Sequence, residues 1–392
     1  MKTIGAQLVS AEQSIYFDSV SLKSMQGKLD VHSSSEIFPQ DLQDIIDSIP
    51  ANIRRWNSDD LDEVEKDSGE LGLFEALRRH VFDENLTMRF RAKLNEFEAK
   101  DPQAFEVYMM ACYVASCRTI VSFDMIYAFL PGPNKQYNDV YDVVKRIESF
   151  LVEVDLDDPH QDYFSVRSAA LSRIALRECQ PRSFGRMFER FHSSVSTRLI
   201  VDYPVFRRYG YDNEFAYKAY PIAKDGKSFY TRLVSITDNA YDYQHGAIYL
   251  SKMKSFTDAF SWIDTALSKS RGRVFSIRNT HARILFEANI DVLKRNTGDL
   301  TALDGICESM AVLQDCIKND ARRSYHLLRF CDQALQYAKF MDDQKSKDWL
   351  TDAYENLKLA VEQAQISRSR DSYNLRKYQR LLGEIKMEIG GH

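Results

Sequence analysis

One stretch, from Phe105 to Arg167, constrains the fold of this chain more than any other. It begins with apolar side chains that recur every three or four residues, a spacing that places them on one face of an α-helix. The side chains of this first stripe are Phe105, Met109, Cys112, Tyr113 and Ser116. Asp101 and Pro102 precede them, and a capping residue followed by proline is typical of a helix start. The sequence therefore predicts a helix that begins near residue 102.

Two more helices and two strands are predicted within the same stretch. Asp124 can cap a short helix that ends at Phe129, because the Pro-Gly-Pro run at 131–133 stops it. A longer helix carries a second apolar stripe, formed by Val140, Val143, Val144, Ile147 and Leu151. Apolar residues then alternate on either side of a polar turn, a pattern typical of a β-hairpin; they are Val152, Val154, Leu156, Phe164 and Val166. Three helices followed by a hairpin predict a winged helix.

The third of these helices lacks the charge expected of a helix that reads DNA. Between Tyr137 and Leu151, the two bases are outnumbered by the three acids Asp139, Asp142 and Glu148. Affinity for DNA depends largely on neutralising phosphates, and a helix with net negative charge works against it. The predicted wing adds three aspartates, at 157, 158 and 162. We therefore expect this winged helix to pack against protein, and DNA binding is kept as the alternative.

The composition excludes several classes of protein. A chain of 392 residues has room for about two to four domains. Its formal net charge of −5 disfavours a general nucleic-acid or anionic-membrane partner. No apolar run approaches the roughly 18–20 residues that a membrane span needs, and no signal peptide is evident. Six cysteines without a Cys-x-x-Cys pair are typical of free buried thiols. We expect a cytoplasmic chain without a membrane partner.

A repeat begins near Gln244. One five-residue pattern, Phe256, Ala259, Ile263, Ala266 and Leu267, recurs in type and spacing as Leu350, Ala353, Leu357, Ala360 and Val361. Gly246 with Tyr249, and Ala334 with Tyr337, precede the two copies, and a weaker copy lies at Ala302, Ile306 and Met310. Small residues at fixed places let one helix of a pair approach the other closely. The pattern predicts tetratricopeptide-like helical hairpins, with structural positions at Ala259, Ile263, Ala266, Ala353, Leu357 and Ala360.

No catalytic, metal or cofactor site is predicted from spacing. Gly226-Lys227-Ser228 could suggest a phosphate loop, but Pro221 occupies the position where that loop requires glycine. The histidines do not show the spacing of a metal site, and no calcium loop occurs. A catalytic group assembled only in space would leave no such pattern, so an enzyme is kept as a third alternative.

The order of these parts resembles bacterial STAND NTPases, the signal-transduction ATPases with numerous domains. The resembling segments are Ile4–Ala6, Ile37–Leu42, Leu71–Arg79, Phe105–Ser116 and Phe164–Arg167. The resemblance implies the end of an NTPase-like domain at 1–40, a small helical domain at 41–100, a winged helix at 101–180 and a tetratricopeptide-like repeat domain at 181–392. The fold class expected from it is mainly α. Walker A and Walker B motifs would lie upstream of Met1, so the resemblance also implies a truncated chain, one subunit of a split protein or a degenerate relative of the family.

The resemblance further implies a function. Such a chain would be a non-catalytic sensor or interaction module in bacterial signalling or antiphage defence. Its partners would be a P-loop NTPase, an effector subunit or a recognised foreign protein. Arg167 stands at the end of the wing, where related chains carry a basic residue, and it is the one candidate for contact with a nucleotide; Ser168 replaces a second expected basic residue or histidine. The alternative is a winged-helix transcriptional regulator with a helical-repeat sensor domain.

Overall fold

The computed structural model describes residues 86–366, except 157, 159, 168 and 321–323, together with residues 372–391. This part of the chain is mainly α-helical, which confirms the predicted class. It divides into two compact units, the first ending at Gly210 and the second beginning at Tyr211. The predicted NTPase-like remnant at 1–40 and most of the predicted helical domain at 41–100 lie outside the described residues.

The first unit consists of short helices around a small sheet. Its elements in chain order are α1 (Leu86–Lys100), α2 (Pro102–Ser116), β1 (Val121–Ser122), α3 (Phe123–Phe129), α4 (Tyr137–Arg146), β2 (Leu151–Val154), β3 (Tyr163–Val166), α5 (Ala169–Glu178), α6 (Pro181–Ser194), a 3-10 turn (Thr197–Leu199) and α7 (Tyr203–Gly210). Every residue of α2 from Ala104 to Val114 is buried, so this helix is the centre of the unit. Asp101 caps it as predicted, since its Oδ1 accepts a hydrogen bond of 3.1 Å from Ala104 N.

The three strands form one antiparallel sheet in the order β1-β3-β2. Val121 of β1 lies opposite Phe164, and Leu151 of β2 lies opposite Val166. The sequence prediction contains no β1, and it places Leu151 on the preceding helix. That helix ends instead at Arg146, because Leu151 enters the sheet and is buried there while Val152 is 38% exposed.

The cap of α3 also differs from the prediction. Ser122, not Asp124, accepts the capping hydrogen bond, which its Oγ receives from Met125 N at 3.2 Å. Asp124 lies in the first turn of α3, where its negative charge faces the positive end of the helix dipole.

Two helices expected in the repeat domain belong to the first unit. The ring of Tyr113 on α2 makes edge contacts with four phenylalanine rings of α6 and α7, namely Phe184, Phe188, Phe191 and Phe206. The Tyr113 hydroxyl donates a hydrogen bond to the carbonyl of Gly210. Glu106 of α2 is buried and pairs with Arg190 of α6. These contacts carry the first unit to Gly210, past the predicted boundary at residue 180.

The second unit is a stack of helices. They are α8 (Asn213–Ala219), α9 (Ala223–Thr237), α10 (Ala240–Lys252), α11 (Phe256–Lys269), α12 (Phe275–Leu293), α13 (Leu300–Asn319), α14 (Ser324–Ala338), α15 (Gln344–Ile366) and α16 (Ser372–Gly391). Each helix packs on the next one along the chain, and each even-numbered helix also packs on the next even-numbered helix. In the later helices, neighbouring hairpins share one apolar core, which is built from side chains of α12 to α16.

Candidate interaction surfaces

An aromatic surface lies on the outer side of α3 and α4. Tyr137 and Tyr141 are one turn apart on α4, so they share a face, and their side chains are 65% and 52% exposed. The ring centroid of Phe123 lies 5.8 Å from that of Tyr137 and 5.0 Å from that of Tyr141. The ring of Tyr127 stacks on Tyr137 with centroids 5.1 Å apart. We call these four residues the tyrosine face.

Its position follows from the local sequence of α4. Val140 and Val143 are fully buried on the opposite side of the helix, which turns Tyr137 and Tyr141 outward. The N-terminus of α4 is closed by Gln136 and Asp139, and Asp139 Oδ2 accepts a hydrogen bond of 2.7 Å from Gln136 N. The apolar stripe thus fixes the rotation of α4, and the cap fixes where it begins.

Carboxylates surround the tyrosine face. Asp162, at the end of the loop between β2 and β3, accepts a hydrogen bond of 2.8 Å from the Tyr141 hydroxyl. This hydrogen bond, with partial burial and the charges of Asp162 and Glu153, raises the pKa of Tyr141. Burial, then the hydrogen bond and charge of Asp158, and finally the charge of Asp124 raise the pKa of Tyr163 to about 12. Four acids therefore act on two neighbouring phenols.

The bases near this surface are largely committed to other partners. The guanidinium of Arg146 turns toward α2, where Nη1 lies 2.8 Å from Asp101 Oδ2 and Nη2 lies 2.8 Å from Gln103 Oε1. The ammonium of Lys135 donates to the carbonyls of Ala128 and Leu130, at 3.1 Å and 3.0 Å, and so closes the end of α3. Lys145 and Arg146 are both exposed on α4, and Arg146 is the one held by Asp101 and Gln103. The surface that a winged helix would turn toward DNA is aromatic and acidic.

Arg167 is exposed at the end of β3. Its Nε donates a hydrogen bond of 3.0 Å to the carbonyl of Glu148, and its backbone N–H donates one of 2.9 Å to the carbonyl of Phe150. These bonds tie the base of the hairpin to the segment that follows α4. A contact between Arg167 and a nucleotide stays a prediction, and Ser168 lies outside the described residues.

The predicted repeat positions lie at helix contacts in the second unit. Ala259, Ile263 and Ala266 are fully buried on α11, and Ala353 and Leu357 are fully buried on α15. Ala360 is partly buried against the same core. The weaker copy, Ala302, Ile306 and Met310, is buried on α13.

Gly246, upstream of the first copy, lies where a larger side chain would clash. A Cβ built on Gly246 of α10 would lie 2.5 Å from the ring of Trp262 on α11. That is closer than a real Cβ approaches another heavy atom, so the two helices would have to separate to admit alanine.

Sequence reasoning missed a buried polar network in the second unit. His326 of α14 is 2% exposed; its Nδ1 lies 2.8 Å from Asn279 Nδ2, and its Nε2 lies 2.8 Å from Asp320 Oδ2. Ser309 Oγ lies 2.6 Å from the carbonyl oxygen of Ala282 and 2.9 Å from Gln333 Oε1. Buried polar groups are costly unless paired, so such networks favour one arrangement of helices over its alternatives. The sequence signal for this network is one histidine, His326, among the apolar residues of α14. Its partner Asn279 lies 47 residues away, so sequence spacing does not reveal the pair.

The described residues were considered as a possible phosphate loop, reactive thiol, metal site or membrane span. Gly226-Lys227-Ser228 lies inside α9, so its backbone N–H groups are used within a helix and not presented as a loop. All six cysteines are free, and burial raises the pKa of the Cys112 thiol to about 12, which keeps it protonated.

Across the described ranges, no group of three or more His, Cys, Asp or Glu residues could hold a metal ion. None of the described helices combines the length and apolarity needed to cross a membrane.

Comparisons with known proteins leave the chain without an assigned relative. No family model matches it, no curated protein matches it, and no solved structure matches its fold at a significant level.

Proposed function

We propose that the chain is a non-catalytic sensor and interaction module, similar to the regulatory half of a bacterial STAND NTPase. The order of elements supports this proposal. In the first unit, α2, β1, α3, α4, β2 and β3 follow the order of a winged helix, with β1 and β2 on either side of β3. The second unit supplies a stack of helical hairpins. Bacterial STAND NTPases combine a winged helix with helical repeats.

The hairpins are proposed to be tetratricopeptide-like and to carry the sensing surface. Each hairpin buries small residues where its two helices meet, as at Ala259 and Ala353, and every second helix contacts the next. In repeat proteins of this kind, stacking creates an extended surface that binds other proteins. The proposed partners are a P-loop NTPase or effector subunit and a recognised foreign protein, in cytoplasmic signalling or antiphage defence.

The tyrosine face is the observation that carries an interaction function rather than a DNA-binding one. Tyr137 and Tyr141 are exposed among carboxylates, and Arg146 is paired with Asp101. Phosphate contacts supply most of the affinity of a protein for DNA, and carboxylates repel phosphates. Exposed tyrosines are instead enriched at protein interfaces.

Two parallel selections on the purified chain test this proposal. A random peptide library displayed on phage is expected to yield enriched peptides with a shared pattern, whereas a random duplex DNA library at physiological salt is expected to yield no shared site. Enrichment of a duplex motif without enrichment of peptides would overturn the proposal and favour the transcriptional regulator.

Calorimetry tests whether the same chain binds ATP. We expect no binding of ATP in the presence of Mg²⁺, because the segment that most resembles a phosphate loop is helical. Micromolar binding of ATP would contradict this expectation, and release of phosphate from the bound ATP would overturn the non-catalytic assignment.

A further inference from the structure

The tyrosine face combines two features that recognise the same kind of group. Tyrosine rings attract cations to their π faces within about 6 Å, and carboxylates pair with ammonium and guanidinium groups. Tyr137 and Tyr141 expose their rings on one side of α4. We propose that the tyrosine face docks a lysine- or arginine-rich segment of a protein partner. This inference rests on the proposed interaction function and names the chemistry of the partner.

A lysine within the chain already uses one ring of this surface. The Nζ atom of Lys135 lies 4.9 Å from the ring centroid of Tyr127, while it donates hydrogen bonds to two backbone carbonyls. Tyr127 in turn stacks on Tyr137. The more exposed ring, Tyr137, continues the same aromatic surface outward, where an incoming cation can reach it.

The charges around these rings complement a basic segment. Asp162 is hydrogen-bonded to Tyr141, and Asp158 is hydrogen-bonded to Tyr163 at 2.8 Å. Asp124 is exposed at the start of α3, and Glu153 is exposed on β2. On the outer stripe of α4 the opposing charge is that of Lys145. Arg146 is also exposed, but its guanidinium is paired with Asp101. The four acids therefore attract a basic segment and repel acidic peptides and nucleic acids.

Asp139 and Asp162 differ in how far they also support the fold. Asp139 closes the N-terminus of α4 through Gln136, so its substitution would disturb the helix as well as the charge. Asp162 is the better site, since Asp162→Asn removes the charge and retains an acceptor for the Tyr141 hydroxyl.

The test measures the binding of a fluorescein-labelled peptide of alternating lysine, arginine and serine to the full chain by anisotropy. We expect micromolar affinity that weakens as salt is raised, because the charges are exposed. Tyr137→Ala and Asp162→Asn are each expected to weaken binding by about fivefold or more. Hydrogen exchange of α2 and α4 confirms that both variants keep the fold.

Matched variants in the second unit serve as controls. Tyr241→Ala removes a tyrosine that is 50% exposed, and Asp304→Asn removes an exposed acid, so both are expected to bind the peptide as the parent chain does. Three results would each overturn the inference: no binding by the parent chain, an equal loss in the controls, or equal binding of a peptide with glutamate in place of lysine and arginine. Binding of a labelled DNA duplex to the chain at physiological salt, weakened by Tyr137→Ala, would overturn it in favour of DNA binding. If the displayed library enriches neutral peptides, this inference fails while the proposed interaction function stands.

Discussion

The two units differ in how far along the chain their contacts reach. In the first, the side chain of Tyr113 bonds to partners 79 and 97 residues away, at His192 and Gly210. In the second, bonds between helices join Gln244 to Thr280 and Gln314 to Asp352, which are 36 and 38 residues apart. Distant contacts bring a larger loss of chain entropy before they form, and they tie a unit into one cooperative whole. Contacts between neighbouring hairpins allow one end to open while the other stays folded.

Tyr113→Ala should have the largest effect on this comparison. The side chain is fully buried among five rings, so its removal leaves a cavity and is expected to cost about 3–5 kcal/mol of unfolding free energy. Hydrogen exchange should accelerate together in α2, α6 and α7. The milder Tyr113→Phe loses only the hydroxyl bonds and should cost about 1–2 kcal/mol. Equal losses in both variants, or exchange that accelerates in α2 alone, would contradict the cooperative view of the first unit.

His326→Leu should open the second unit locally. The substitution removes the hydrogen bonds that the imidazole makes with the buried amide of Asn279 and with the carboxylate of Asp320, at an expected cost of about 2–3 kcal/mol. Of the three tryptophans, at 56, 262 and 349, two lie in the second unit, so fluorescence in a Trp56→Phe background follows that unit during urea unfolding. Exchange should accelerate in α12 and α14 and stay slow in α10. The control is Tyr325→Leu, at a side chain that is 51% exposed. Uniform acceleration along α10 to α16 would show that the stack opens as one unit.

Ala259→Leu and Ala353→Leu test whether the two copies are equivalent. Each adds three carbons at a fully buried helix contact and should cost about 1–3 kcal/mol. The losses should be roughly additive, because the sites lie on different hairpins. Ser261→Leu and Thr351→Leu place the same side chain at exposed positions of the same helices and should change the melting temperature little. Equal tolerance at buried and exposed sites would remove the support for a repeat.

Acid pH should produce the smallest effect. Hydrogen bonds from Lys227 and Lys254 hold the pKa values of Asp258 and Asp291 below the usual 3.8. Because both folded pKa values are lowered, the pairs stabilise the protein above the unfolded pKa and lose that contribution as pH falls through the folded values. Asp258→Asn should lower stability at neutral pH by less than about 1 kcal/mol and leave a shallower loss below about pH 4. A steeper loss in Asp258→Asn, measured by tryptophan fluorescence, would contradict this sign.

Local patterns predicted the parts of the fold that depend on local spacing. The stripe that includes Phe105 and Met109 became α2, and the alternation near Phe164 and Val166 became β3. Two features of the fold were not predicted, because each depends on contacts between residues that are distant in sequence. β1 is two residues long, too short to alternate, and exists because Val121 pairs with Phe164. The end of the first unit at Gly210 depends on contacts of Tyr113, which no periodicity records.

The sequence predicted the net negative charge of the candidate surface, but it did not predict which side chains are exposed there. Counting acids and bases between Tyr137 and Leu151 showed that the third helix is acidic. The count could not show that Arg146 turns toward Asp101, or that Tyr127 stacks on Tyr137. Both depend on the rotation of α4 against α2 and α3, a tertiary property. The buried His326 network was invisible for a related reason, since its partner Asn279 lies 47 residues away.

The bond between Tyr113 and Gly210 also has a consequence during synthesis. When α2 leaves the ribosome, the face that carries Tyr113 lacks its phenylalanine partners until α6 and α7 have followed. Elongation proceeds at about 5–20 residues per second, so the 97 residues between Tyr113 and Gly210 correspond to roughly 5–20 seconds of exposure. During that interval the nascent first unit is a substrate for chaperones, whereas each nascent hairpin of the second unit meets its neighbour much sooner.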